Sequence, residues 1–315
     1  LDGVTLRGGN LALRYMDRAT SRLEISDLNG KKVRDVPLPE LGTVSDLVGN
    51  PEDDDAYFSF TSFLTPTTIF KTSIKRGGRQ VHFKPDVKLN TSAFATEQVF
   101  YKSLDGTSIS MFIVRKKSLK RDGGTPFILT GYGGFNINIT PQFRSSKIVW
   151  LEQGGALAIP NLRGGGEYGE QWHQDGMLLK KQNVFDDFIA AAQHLIDKKY
   201  TSPKHLAIVG GSNGGLLVGA AMTQRPELFK VVGCHVPLLD MIRYHLFGSG
   251  RTWISEYGSA DDPVQFKAIL AYSPYQKVKK GTDYPSMIMM SADSDDRVDP
   301  MHARKFTAAI QNATK

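Results

Sequence analysis

Cys234 is the only cysteine in the 315 residues, so no disulfide can form within the chain. It lies in the apolar run Val231-Val232-Gly233-Cys234-His235-Val236, as a buried small hydrophobe would. A lone thiol suits a reducing compartment, so a cytoplasmic location is expected; it also suits a disulfide-free periplasmic protein. No apolar run approaches the ~18 residues that would span a membrane. The first residue is Leu1, and no charged-then-apolar leader follows it. The formal charge is +7. Its basic clusters, Lys116 to Arg121, Arg76 to Arg79 and Lys277 to Lys280, lie beside glycines or between periodic segments, as solvated loops do. They lack the interleaved aromatics of a single-strand nucleic-acid surface, so neither nucleic acid nor membrane is expected as a partner.

What is present divides into two grammars. Residues 1–90 read as β, with short runs at Leu11–Tyr15, Arg22–Ile25, Ala56–Phe60 and Thr68–Ile74. Turn signals separate them at Asp27-Leu28-Asn29-Gly30, Gly49-Asn50-Pro51 and Arg76-Gly77-Gly78. The acidic run Glu52 to Asp55 reads as a loop tip. Strands of this spacing suit propeller blades of ~40–50 residues, and ninety residues supply about two. Residues 91–315 alternate strand and helix. Strands are expected at Ile109–Val114, Pro126–Leu129, Ala156–Pro160, Leu206–Val209, Val231–Val236 and Met287–Met290. Helices are expected at Asn183–Lys198, Gly215–Gln224 and Met301–Gln311. Such alternation implies an α/β domain with a mainly parallel sheet covered on both faces.

The most informative segment is His205-Leu206-Ala207-Ile208-Val209-Gly210-Gly211-Ser212-Asn213-Gly214-Gly215. A β-branched run ends in Gly-Gly-Ser-Asn-Gly and passes into a helical pattern, which fits the G-x-S-x-G nucleophile elbow. The serine must take a strained conformation to present its hydroxyl, and the residues two before and two after must lack side chains. The helix then aims its N-terminal N–H groups at the reacting oxygen. A glycine-rich turn that binds phosphate, or merely turns, is the bland alternative.

A serine nucleophile needs a base, and the base an orienting carboxylate. In this fold the order is Ser, then Asp or Glu, then His. The carboxylate candidate follows the strand Met287–Met290, in Ser291-Ala292-Asp293-Ser294-Asp295-Asp296-Arg297-Val298; a polar loop capping the helix near Pro300 is the alternative. Only His302 lies further on, within the next helix, and it reads as a surface or helix-packing residue. His173, His194, His205, His235 and His245 precede the carboxylate and read as structural. The base is therefore expected to be missing from this chain.

Gly131-Tyr132-Gly133-Gly134-Phe135-Asn136-Ile137, Asn161 through Gly169, Gly210 through Gly215 and Asp295-Asp296-Arg297-Val298 occur in an order and spacing that resembles the prolyl oligopeptidases. The likeness is close over about residues 95–312 and looser over the β half. The form Gly210-Gly211-Ser212-Asn213-Gly214-Gly215 favours this branch over oligopeptidase B, which usually has alanine after the serine. The resemblance implies a seven-bladed propeller inserted into an α/β-hydrolase domain. This chain would hold the last blades and most of the hydrolase, with further segments before Leu1 and a histidine-bearing tail after Lys315.

Residue by residue, the resemblance implies Ser212 as nucleophile and Asp295 as triad carboxylate. The Tyr132 phenol and the Asn213 backbone N–H would form the oxyanion hole. Trp253 would stack on a substrate proline, Phe135, Tyr257 and Val298 would line its pocket, and Arg297 would bind a substrate carbonyl one residue upstream. Taken alone, Trp253 and Phe135 also suit a core and Tyr132 a turn. Arg163 with Glu167 reads as a structural ion pair, and Asp186 and Asp187 as caps or outward-facing helix residues. Ser294 stands where family members usually carry histidine, and Leu238 where a smaller valine is common. The implied activity is cleavage of short peptides after proline through an acyl-enzyme, by a monomer, with no metal or organic cofactor. Rival readings are a related peptidase or esterase of other preference, and a propeller interaction protein with a dead hydrolase.

Overall fold

The computed structural model describes residues 1–314. They fall into two compact units, Leu1–Thr96 with Thr140–Gln153, and Glu97–Ile139 with the residues from Gly154 onward. The segment Thr140–Gln153, in sequence an interruption of the second unit, is thus compact with the first.

The first unit contains two four-stranded antiparallel sheets. One is β1 (Gly3–Arg7), β2 (Asn10–Asp17), β3 (Thr20–Ser26) and β4 (Lys32–Val36); the other is β5 (Thr43–Val44), β6 (Asp55–Thr61), β7 (Thr68–Ser73) and β8 (Gly77–Phe83). Each sheet runs in chain order, as propeller blades do, and the two blades match the expectation. Period-two alternation builds them. In β6, Ala56, Phe58 and Phe60 turn inward and are buried, and Phe58 lies opposite Phe70 with ring centroids 5.6 Å apart.

The second unit is built on a seven-stranded sheet. Its strands are β9 (Phe94–Lys102), β10 (Ser108–Lys116), β11 (Phe127–Thr130), β12 (Ala156–Pro160), β13 (Leu206–Gly211), β14 (Val231–His235) and β15 (Ser286–Met290), in the order β15-β14-β13-β11-β12-β10-β9. The five from β11 to β15 are mutually parallel, and β10 runs antiparallel to β12. Every residue of β12 is buried, which is why it reads as a continuous apolar run. This is the mainly parallel α/β-hydrolase sheet expected. The helix Gln182–Asp197 presents Val184, Phe188, Ala191 and Leu195 on one buried stripe. The helix Asn213–Gln224 is buried almost throughout, and glycines let it lie close: a Cβ on Gly215 would come 2.7 Å from Pro237 Cβ. Among the described residues no helix is long and apolar enough to cross a membrane.

Two expectations about charges are corrected. Arg163 does not pair with Glu167. Its guanidinium meets Asp187 at 2.6 Å and Asp105 at 2.5 Å. Asp187 does not face outward: it is wholly buried, and it also accepts from Ser103 Oγ at 2.5 Å and from the Arg163 N–H at 3.1 Å. Burial would lower the Arg163 pKa, but the bonds to Asp187 and Asp105 raise it, and the Arg163 bond holds Asp105 down at about 2. Breaking a buried pair from one side leaves an uncompensated charge, so Asp187→Ala should cost about 3–5 kcal/mol. Urea unfolding of the whole protein would read this as a lower midpoint. A wild-type midpoint would show that Asp105 alone suffices for Arg163.

Of the two readings of His302, surface or helix-packing, the second holds. His302 is buried, and its Nδ1 accepts from the Leu239 and Asp240 N–H groups at 3.3 and 3.1 Å. Burial pulls its pKa down to about 4, which keeps the ring neutral and able to accept. Cys234 is the buried small hydrophobe expected, with its thiol pushed up by burial to about 12.

Candidate active site

The turn after β13 carries Ser212 at φ 57°, ψ −121°, immediately before the helix Asn213–Gln224. A side chain rarely adopts this conformation, and holding it costs on the order of 1–3 kcal/mol. Two features enforce it. The Ser212 N–H donates to His235 O on the neighbouring strand at 2.9 Å, and Ser212 O accepts from the Gly215 and Leu216 N–H groups. The flanking glycines are obligatory, because a Cβ on Gly210 would sit 2.1 Å from Gly214 O. This is the collision the sequence motif anticipates. The helix begins at Asn213, two residues earlier than its apolar pattern suggests, so the Asn213 N–H is among the first-turn donors with no intrahelical partner.

The loop after β11 brings Tyr132 to the serine, and both side chains line one cavity. Burial raises the Tyr132 pKa, with Ser212 and the positive charge of Arg297 opposing, so the phenol remains a proton donor at neutral pH. The loop's backbone is unusual. Gly133, Phe135 and Asn136 have φ of 63°, 59° and 56°, and two of these three are not glycine. Side chains from elsewhere hold it: Asn213 Nδ2 donates to Tyr132 O at 2.6 Å, and Lys181 Nζ donates to Gly133 O at 2.9 Å.

Tyr132, Phe135, Ser212, Trp253, Tyr257 and Arg297 line one cavity of about 390 Å³, with Leu238 also in its wall. Trp253 is half-buried, leaving indole surface available. Phe135 and Tyr257 meet edge to face at 5.5 Å. The Tyr257 hydroxyl donates to Asn213 Oδ1 at 2.9 Å, tying the pocket wall to the elbow. Two residues lie elsewhere. Val298 does not line the cavity; it is buried in the core. Asp295 is half-buried in the loop after β15, which runs parallel to β14 and so ends at the same edge of the sheet as the elbow. Its Oδ1 accepts from the Arg297 and Val298 N–H groups at 3.1 and 3.0 Å, fixing the carboxylate in its own loop.

Sequence reasoning missed a buried charged group behind this cavity. Lys181 Nζ meets Glu256 Oε1 at 3.2 Å, and Glu256 Oε2 meets His173 Nε2 at 2.8 Å. Lys181 follows Lys180 just before the helix Gln182–Asp197, and no periodic pattern there marks it as buried. Only Glu256, inside the Trp253–Tyr257 segment, carried a positional hint. Among the described residues no histidine ring nitrogen is hydrogen-bonded to the Ser212 or Asp295 side chain.

Comparison with known proteins places these features in context. The family model of the Prolyl oligopeptidase family matches residues 141–315, and that of the Prolyl oligopeptidase, N-terminal beta-propeller domain matches residues 1–85. A prolyl endopeptidase of Elizabethkingia miricola is 48% identical over 309 residues, covering 98% of this chain and 44% of that protein. A solved prolyl endopeptidase superposes with a TM-score of 0.93 at 59% identity, covering 99% of this chain and 46% of that one. Prolyl oligopeptidase B from Galerina marginata, solved with a 35mer hydrolysis and macrocyclization substrate, gives a TM-score of 0.93 at 33% identity, covering 100% of this chain and 44% of that one. The chain thus spans less than half the length of these relatives.

Proposed function

The chain belongs to the prolyl oligopeptidase family, and on that premise we propose that the protein carrying it is a serine peptidase that cleaves short peptides on the carboxyl side of proline. The observation that carries the reading is the convergence of the strained Ser212, Tyr132 and the half-buried Trp253 on one cavity. Ser212 Oγ attacks the carbonyl carbon of the substrate's proline while a base takes its proton. The oxyanion that forms receives the Tyr132 phenol and the Asn213 N–H. The intermediate collapses by breaking the C–N bond, and the base returns the proton to the leaving amine. Water then hydrolyses the ester on Ser212 by the same steps in reverse. Tyr132 and Asn213 act where charge develops, so each is worth a few kcal/mol in the transition state.

Asp295 is the carboxylate that orients the base. The base is none of the seven histidines of residues 1–315. Arg297 donates to a substrate carbonyl one residue upstream of the cleavage site, and Phe135 and Tyr257 wall the proline pocket. Cytoplasmic location, a monomeric state and partners limited to peptides belong to the same proposal.

Specificity is the part to test. Proline's saturated ring has no donor and is held by area, which an indole face supplies. Trp253→Ala in the whole protein should therefore raise KM for a prolyl peptide by about 10-fold or more, while a small acetate ester changes little. Equal changes for both would make Trp253 a support of the fold. A wild-type protein that prefers arginyl peptides or esters to prolyl peptides would overturn the substrate assignment.

A further inference from the structure

We infer that Lys181 is a positioning residue for the oxyanion donor Tyr132, acting through the carbonyl of Gly133. The inference rests on the reading of Tyr132 proposed above. Lys181 is buried at 1% exposure, and its ammonium has three identifiable neighbours. It donates to Gly133 O at 2.9 Å, pairs with Glu256 Oε1 at 3.2 Å and lies 5.2 Å from the Tyr257 ring centroid.

A buried lysine needs a reason, because desolvation opposes its charge. Burial lowers the Lys181 pKa and Glu256 opposes that shift. Glu256 Oε1 takes one N–H of the ammonium and Gly133 O takes another, so the lysine serves that carbonyl as well as pairing a charge.

Geometry says what that function is. The loop from Gly133 to Asn136 has three positive φ angles and cannot be stable as an isolated segment. Two donors pin successive carbonyls, Asn213 Nδ2 on Tyr132 O and Lys181 Nζ on Gly133 O. Space is equally tight at the next residue. A Cβ on Gly134 would sit 2.7 Å from Asn213 Nδ2 and 3.0 Å from both Lys181 Nζ and Glu256 Oε1. The ammonium is therefore packed under the backbone just past Tyr132. It does not face the cavity: neither Lys181 nor Glu256 lines it. Its path to the chemistry runs through backbone. Glu256 and Tyr257 belong to the segment that carries Trp253, so the same ammonium ties the oxyanion loop to the pocket wall.

Removing this tether lets the phenol drift from the position the oxyanion takes, and small misplacements cost large factors in rate. Lys181→Met keeps length and removes the donor. In the whole protein it should lower kcat for a prolyl peptide by about 10- to 100-fold with KM changed far less. The deciding measurement is a double-mutant cycle with Tyr132→Phe. If Lys181 acts through Tyr132, its removal costs less than about 3-fold once the phenol is gone. Full multiplicative loss in that background would overturn the inference, as would an unchanged kcat in Lys181→Met.

Should the orphaned Glu256 unfold the single variant, read as loss of cooperative melting, the cycle is run on Lys181→Met with Glu256→Gln, which removes both charges. The same non-additivity is then expected, and additivity overturns the inference. Failure of the underlying reading looks different: Tyr132→Phe by itself would leave kcat unchanged.

Discussion

Ser212→Ala in the whole protein should lower kcat for a prolyl peptide by about 10⁴-fold or more, while peptide affinity stays within a few-fold of wild type. The substitution removes one atom, Oγ, and with it the bond-forming nucleophile. Binding survives because the cavity is walled by Trp253, Phe135, Tyr257 and Arg297, none of which depends on Oγ for its place. The backbone survives too. Alanine meets the same cost at φ 57° as serine does, and the constraints that impose that φ are the strand hydrogen bond from the Ser212 N–H to His235 O and the glycines around it. Residual activity then comes only from the oxyanion donors acting on attack by water, and triad members lost singly cost nearly as much as the whole set. Steady-state kinetics and calorimetric titration of the peptide separate the two effects. Turnover within 10-fold of wild type would remove Ser212 from the mechanism. Loss of binding together with turnover would instead show a collapsed pocket.

Features set by local geometry could be read from the sequence. Gly210, Ser212 and Gly214 specify their turn because the strand and helix they join collide unless both glycines are bare. Strands with inward apolar residues were equally legible, as at Ala56, Phe58 and Phe60 or throughout Ala156–Pro160. Five strands gave too weak a pattern: β1, β4, β5, β8 and β9. In β8 six of seven residues are exposed, so no alternation records its pairing with β7. The first turn of the elbow helix was missed because Asn213 and Gly214 are poor helix formers, placed there by Ser212 and not by propensity.

Charged partners were the least legible, since an ion pair joins residues whose separation carries no period. Arg163 and Asp187 are 24 positions apart. A signal did exist at Asp187, which falls three residues after Val184 and four before Ala191, on the buried stripe of its helix. His302 gave the same signal, four residues before Phe306 and on the buried face with Ile310. Titratable groups on an apolar stripe predict internal partners, and that rule would have corrected Asp187 and chosen helix packing for His302. Lys181 offered nothing comparable. It precedes the helix and meets Gly133 and Glu256, respectively 48 positions earlier and 75 later.

Residues 1–315, prepared alone, should hydrolyse no peptide, because a hydroxyl nucleophile needs a base within about 2.6–3.2 Å and each of the seven histidines is otherwise placed. His82 packs against Tyr57 in the first unit, with ring centroids 4.8 Å apart. His173 is held between Glu256 and Glu170, at 2.8 and 3.3 Å. His194 lies against Tyr101. His205 is exposed just before β13, and six residues of strand put it about 20 Å from the elbow. His245 Nε2 lies 3.4 Å from Asp261, and His302 spends its acceptor on two backbone N–H groups. His235 is nearest along the backbone, but it is its carbonyl that meets the Ser212 N–H, while its Nε2 lies over Gly233. A fluorogenic prolyl peptide measures the outcome, with cooperative thermal unfolding of the same preparation showing that it is folded. The companion measurement is made in the whole protein, where His235→Ala should leave kcat within about 10-fold of wild type, since only the base itself carries the full cost of triad loss. Turnover by residues 1–315 that disappears with Ser212→Ala would show one of the seven serving as base. That result would overturn the role given to Asp295 along with the placement of the base.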